Sequence, residues 1–188
     1  MKTMVKKTLI AFVGFVLFAG TAKAQDRYFT KTGKIDFFSE AKLEDIEAKN
    51  KTVTAVLDKK SGAIQFEVQM KGFEFEKKLM QEHFNDNYVE SNKFPKATFK
   101  GTVLNNTAVN YTKDGTYNVK VKGKLMLHGV TKEVEAPGTI KISGGKIDAA
   151  STFTIQLSDY NISIPAVVKD KISNTIKIMV DTRLEPLK

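Results

Sequence analysis

Lys113-Asp-Gly-Thr-Tyr117-Asn-Val-Lys-Val-Lys-Gly-Lys-Leu-Met-Leu127 is the stretch that decides the fold. After the turn signal Lys113-Asp114-Gly115, residues Tyr117, Val119, Val121, Leu125 and Leu127 share one parity, and Asn118, Lys120, Lys122 and Lys124 share the other. A period of two marks a strand with one apolar face and one solvated face. Lysines on the outer face also discourage edge-to-edge association.

The pattern continues in both directions. Upstream, Ile35 and Phe37 alternate, as do Val53, Ala55 and Leu57. The polar turn Asp58 to Gly62 then leads into Ile64, Phe66, Val68 and Met70, a hairpin order. Phe99, Gly101 and Val103 form the next run. Downstream come Val134, Ala136, Ile140 and Ile142, interrupted by Pro137-Gly138, then the turn Ser143-Gly144-Gly145. Phe153, Ile155 and Leu157 follow, and Ile176, Ile178, Val180, Thr182 and Leu184 close the chain. About eight strands with short turns indicate a sandwich or a barrel, not βαβ units. A barrel gives the apolar faces a common interior and leaves no bare edge. The expected fold is therefore all-β, an antiparallel β-barrel of about eight strands with one or two short helices.

Two stretches depart from alternation. Between Glu74 and Asn85, residues Phe75, Leu79, Met80, His83 and Phe84 fall on a helical stripe. From Ile164 to Ile172, Pro165 stands near a helical first turn, so that stretch is open to a second short helix.

The N-terminus carries Lys2, Lys6 and Lys7, then a short apolar run from Thr8 to Gly20, then Ala22-Lys23-Ala24. A basic segment, an apolar segment and a small-x-small site form a secretory signal peptide. The apolar run is well short of the roughly 20 residues of a spanning helix. Residues 1–24 are read as that signal, with cleavage near Ala24, and 25–188 as one barrel domain in the periplasm or secreted. The sequence contains no cysteine, so an exported domain of this size must be held by its core.

Removing the four leader lysines from the formal charge of +9 leaves +5. The only arginines are Arg27 and Arg183, and aromatic residues do not interleave with them, which argues against a nucleic-acid partner. Transient contact with an anionic membrane surface stays open.

With two histidines, His83 and His128, and no cysteine, zinc clusters and Cys-His nucleophiles lack their ligands or members. No metal site is assigned. Ser143-Gly-Gly-Lys146, Ser158-Asp159-Tyr160 and Lys31-Thr32-Gly33 mimic penicillin-recognising serine enzymes, but in the wrong chain order. No catalytic residue is assigned. Four Asn-x-Ser/Thr strings begin at Asn50, Asn105, Asn110 and Asn161 and need no glycan to explain them. Barrels of about eight strands are either filled by side chains or hold one small ligand, and composition does not choose between these.

Several strings resemble the YceI-like family in order and spacing. They are Gly33 to Phe37, Ser61 to Phe66, Leu79-Met-Gln-Glu-His-Phe84 and Ser91-Asn-Lys-Phe94-Pro95 through Gly101. Gly123 to Glu133, around His128-Gly129, and Phe153 to Ile162, around Ser158-Asp159-Tyr160, complete the set. Where that family commonly has Gly after Asp-Tyr this chain has Asn161, a residue that tolerates the left-handed region. The resemblance implies an extended, lipocalin-like barrel whose apolar tunnel holds a polyisoprenoid, an isoprenoid quinone or a fatty-acyl lipid. It implies a long-chain lipid as the partner, no other cofactor and no catalytic residues.

Apolar parity and the helical stripe then nominate Phe37, Phe66, Val68, Phe75, Leu79, Met80, Phe84, Phe99, Val119, Leu125, Phe153 and Leu157 as tunnel lining. His83, then Asn85 and His128, are the candidate head-group contacts. The helix with Phe94-Pro95 is the expected wall or lid. The competing readings are a filled barrel acting in stress or as an interaction partner, and a hydrolase. Oligomeric state stays open, a dimer included.

Overall fold

The computed structural model describes residues 26–187, so the expected leader lies outside the described residues. Eight long antiparallel strands form the wall: β1 (Arg27–Glu40), β2 (Asp45–Asp58), β3 (Ala63–Gln69), β5 (Lys96–Val103), β6 (Gly115–Leu127), β7 (Val130–Ser143), β8 (Lys146–Gln156) and β9 (Thr175–Pro186). A two-residue strand, β4 (Glu74–Phe75), adds to β2 through Ala48↔Phe75 and Lys49↔Glu74. The order β1-β9-β8-β7-β6-β5-β3-β2, with β2 pairing back to β1, closes the barrel in an up-and-down path. Each neighbour is also next in sequence or reached by the closing step, which is why short turns suffice.

Strand directions place the loops at two ends. One end carries the turns at 59–62 and 144–145 and the 104–114 loop. The other carries 41–44, the excursion 70–95, the turn at His128-Gly129 and the 157–174 loop. At the first end Tyr28, Leu57, Ile64, Val103, Ile140, Ile147 and Leu184 pack into a solid plug. At the second, Ile35, Val68, Phe73, Leu127, Ile155 and Ile176 form a separate cluster against which Phe37, Phe84 and Phe153 are only partly buried.

Local chemistry shapes the wall. Gly101 and Gly123 face each other across β5 and β6, and a Cβ on Gly123 would lie 2.4 Å from Gly101 Cα. The bare backbones leave room for the Phe99 ring, which such a Cβ on either glycine would meet at 2.6–2.7 Å. Between β7 and β8, pairing stops at Gly138↔Ser151. Pro137, one residue earlier, has no N–H to donate, and its carbonyl instead accepts a 2.6 Å hydrogen bond from Ser151 Oγ. From there toward the loop-rich end, β7 pairs only with β6 and β8 only with β9, so the two strands diverge.

The helical expectations need correction. The helix α1 spans only Lys78–His83 and continues as one wide π-type turn over Phe84–Tyr88, while Glu74 and Phe75 are extended. Those two residues find backbone partners on β2, and the N-cap Lys77 supplies no side-chain cap to start the helix earlier. At 164–172 the chain makes a single 3₁₀ turn, Ala166–Val168, instead of a second α-helix. Pro165 is extended (φ −59°, ψ 143°) and precedes the turn instead of sitting inside it.

Candidate functional site

The diverging strands and the Phe-rich excursion enclose a cavity of about 540 Å³. It runs from the loop-rich end, at Glu44, Lys77, Leu79 and Lys171, down to Ile64, Val103, Val119 and Ile140 above the plug. That volume lies within the roughly 300–1,000 Å³ of small-molecule sites.

Every residue nominated from the sequence as lining contributes to this wall. Phe37 comes from β1, Phe66 and Val68 from β3, Phe75 from β4, and Leu79, Met80 and His83 from α1. Phe84 follows on the π turn, Phe99 lies on β5, Val119 and Leu125 on β6, Phe153 on β8, and Leu157 opens the next 3₁₀ turn. Val134 and Ala136 on β7 and Ile176, Ile178 and Val180 on β9 also line it. Their parity was already legible in the sequence. Glu44, Val168, Lys171 and Ile172 come from loops, where no periodicity could nominate them.

Four phenylalanines hold the excursion to the barrel. The Phe37 and Phe84 rings stack at 5.5 Å between centroids, and Phe73 and Phe75 close on the same pair at 5.1–5.7 Å. Offset and edge-on contacts of this kind add about 0.5–1.5 kcal/mol per pair beyond area burial. Salt-bridge geometry ties the helix to the rim: Lys77 Nζ donates to Glu44 Oε1 at 2.9 Å. That hydrogen bond, with the Lys77 and Lys171 charges behind it, holds the Glu44 carboxyl below its ordinary value. Burial alone pushes the Tyr88 phenol up.

Two of the candidates sit elsewhere. His128 is on the left-handed turn between β6 and β7 (φ 50°) and is absent from the cavity wall. Its Nδ1 lies 3.0 Å from the Tyr160 carbonyl and its Nε2 2.7 Å from Glu90 Oε2. Phe94 packs on that imidazole at 4.6 Å, outside the cavity, so the Phe94-Pro95 segment is not part of the lid. The cause is Gly129: a Cβ there would meet the Phe94 ring at 2.7 Å, so the ring fills the space beside the turn. Asn85 is also not a lining residue, and its Nδ2 donates to the Gln81 carbonyl.

Other sequence strings resolve as structure. Asn50 is wholly buried and its Oδ1 accepts from the Thr52 N–H and hydroxyl, so it is no glycan acceptor. Asn161 adopts the left-handed conformation (φ 57°) that its place after Asp159-Tyr160 requires. Ser143 ends β7 at the plugged end, whereas Ser158 lies at the opposite end, so the serine-enzyme mimics do not meet.

No protein of curated function matches the sequence. Among solved structures, a polyisoprenoid binding domain from Saccharophagus degradans, implicated in plant cell wall breakdown, superposes with a TM-score of 0.76 at 15% identity. The match covers 87% of this chain and 100% of that one. BcnA of Burkholderia cenocepacia gives 0.65 at 18% identity over 81% and 94% of the two chains. The YCEI protein of Campylobacter jejuni gives 0.50 at 18% identity over 96% and 97%. These structures share the fold. The family model of the YceI-like domain matches residues 12–184, and with nearly the whole chain inside that match, this protein belongs to the YceI-like domain family.

Proposed function

We propose that this protein is an exported, non-catalytic carrier that holds one long apolar chain in its barrel. The ligand class is a polyisoprenoid, an isoprenoid quinone or a fatty-acyl lipid, held for transport, storage or sequestration in the periplasm or outside the cell. The observation that carries the reading is the continuous, almost wholly apolar cavity between the loop-rich end and the plug. Its apolar lining suits a hydrocarbon chain, and burial returns about 0.8 kcal/mol per methylene before the cost of association. The likeness to the polyisoprenoid binding domain of Saccharophagus degradans supports the same class. The filled-barrel reading loses ground because residues of both packed clusters line a shared cavity.

The leader-like N-terminus supports export, and a barrel that can keep such a chain out of water supports the carrier role. The test is mass spectrometry of an organic extract of protein purified from an exporting host. A stoichiometric long-chain lipid is expected. Repeatedly empty preparations that also take up no added lipid would overturn the reading.

A further inference from the structure

The cavity wall is polarised. Its charged side chains are Glu44, Lys77 and Lys171, and all three stand on loops or the helix start at one end. The deep end is lined by Ile64, Val103, Val119, Ile140 and Ala149 and carries no charge. A ligand matching this wall has one apolar tail and one head, with the head at the loop-rich mouth. The apolar content alone leaves the nature of the head open.

The charges at the mouth decide it. Lys77 is spoken for by Glu44 at 2.9 Å, and nearby Lys42 lies 3.8 Å from Asp170. The Lys171 ammonium makes no hydrogen bond and no ion pair within 4.0 Å among the described residues, and its charge acts on Glu44 only from farther away. Its backbone is fixed. Lys171 N–H donates to the Val168 carbonyl, Leu43 N–H donates to the Asp170 carbonyl at 3.0 Å, and Ser173 N–H donates to Ser39 Oγ at 2.9 Å. The loop is thus clamped to β1 and to the β1–β2 turn, which holds Lys171 at the mouth beside Val168 and Ile172.

We infer that the mouth is a head-group site for a single-chain lipid with an anionic oxygen head, a carboxylate or a phosphate, bound by Lys171, with Lys77 beside it held by Glu44. This inference rests on the lipid-carrier reading and narrows it. One carboxylate against two ammoniums leaves the wall with a net positive charge, and His83 on the same rim adds a ring that can donate a hydrogen bond. The head stays near water, so the contribution is that of a part-exposed ion pair and acts on selectivity more than on total affinity.

The test is a two-by-two cycle on delipidated protein by titration calorimetry, with oleate and oleyl alcohol as ligands of equal tail length. Lys171→Met is expected to weaken oleate about two- to fivefold, the range of an exposed ion pair, and to leave oleyl alcohol unchanged. Glu44→Gln removes the competing carboxylate and is expected to shift oleate the other way, toward tighter binding. Oleyl phosphate should follow oleate. Inorganic phosphate, lacking a tail, should not compete with oleate at millimolar concentration; if it does, the site is a free-anion site and the lipid assignment is overturned. If both lipids bind and neither variant separates them, the head-group assignment fails while the tunnel reading stands. If neither lipid binds the native protein, the tunnel reading itself fails and this inference with it.

Discussion

His128 Nε2 lies 2.7 Å from Glu90 Oε2, and the opposite ring nitrogen faces the Tyr160 carbonyl at 3.0 Å. Both partners are oxygen acceptors, so whichever ring nitrogen carries a proton donates to the oxygen it faces. One side chain thereby joins the end of the excursion, the β6–β7 turn and the 3₁₀ turn after β8. The hydrogen bond from His128, assisted by Lys93 at 3.8 Å, holds the Glu90 carboxyl below its ordinary value of 4.5.

The sign of the pH effect follows from that depression. Glu90 contributes stability that is fully present above its unfolded value near 4.5 and is lost as pH falls through the lower folded value. Glu90→Gln should therefore lower the urea midpoint at pH 6 and converge on the native protein as pH drops below about 4. A constant gap across that window would place the effect of the variant in packing and not in the ion pair.

Removing the imidazole strands its partners. His128→Ala is expected to cost about 1–3 kcal/mol, from the lost charge-assisted hydrogen bonds and the contact with Phe94. Denaturant unfolding measures the cost. Lipid content should be unchanged, because His128 is outside the cavity wall.

Phe84 is one of three excursion phenylalanines, with Phe73 and Phe75, that grip Phe37 of β1. Phe84→Ala should destabilise the protein by about 2–3 kcal/mol, below the ~3–5 kcal/mol of a fully buried Phe because the ring is only partly buried. Limited proteolysis should then cut between residues 76 and 90 faster than in the native protein.

The glycine pair across β5 and β6 tolerates no side chain. Gly123→Val drives a Cβ into Gly101 Cα and the Lys100 carbonyl, at 2.4 and 2.5 Å. The clash is with backbone, so the expected loss is at the upper part of the ~1–3 kcal/mol of overpacking or beyond. Thermal unfolding should drop by many degrees; a neutral result would mean that the strands separate more easily than the close contact implies.

Ala149 lines the deep part of the cavity, where a large ring would occupy the space of a chain end. Ala149→Phe should shorten or abolish the bound chain, read by mass spectrometry of extracts, at a stability cost within ~1–3 kcal/mol. Unchanged chain length would show that the tail does not reach this depth.

Much of this was legible before folding. Alternation assigns each of Phe37, Phe66, Phe99, Val119, Leu125 and Phe153 to the inner face, because in a strand the direction of a side chain depends only on its parity. The stripe Leu79, Met80, His83 and Phe84 is equally local, since one helical turn suffices to align it. Alternation specifies direction but not distance. Ile140 and Ile176 have the same pattern, yet one joins the plug and the other the cluster at the far end. Whether inner faces meet or enclose a space was decided by closure of β1 onto β9, by the strand divergence at Pro137 and by the Phe-rich excursion. Phe94 and His128 looked like site residues and were drawn out of the site by a left-handed turn and a neighbouring glycine. Lys171 and Glu44 reached the mouth through loops 41–44 and 157–174, which are remote in sequence and meet only when the barrel closes. The sequence by itself determined the strands and their inner face, because those rest on interactions between near neighbours in the chain. Tertiary structure alone decided that the interior is hollow at one end and charged at its mouth, because those properties depend on how far apart distant segments come to rest.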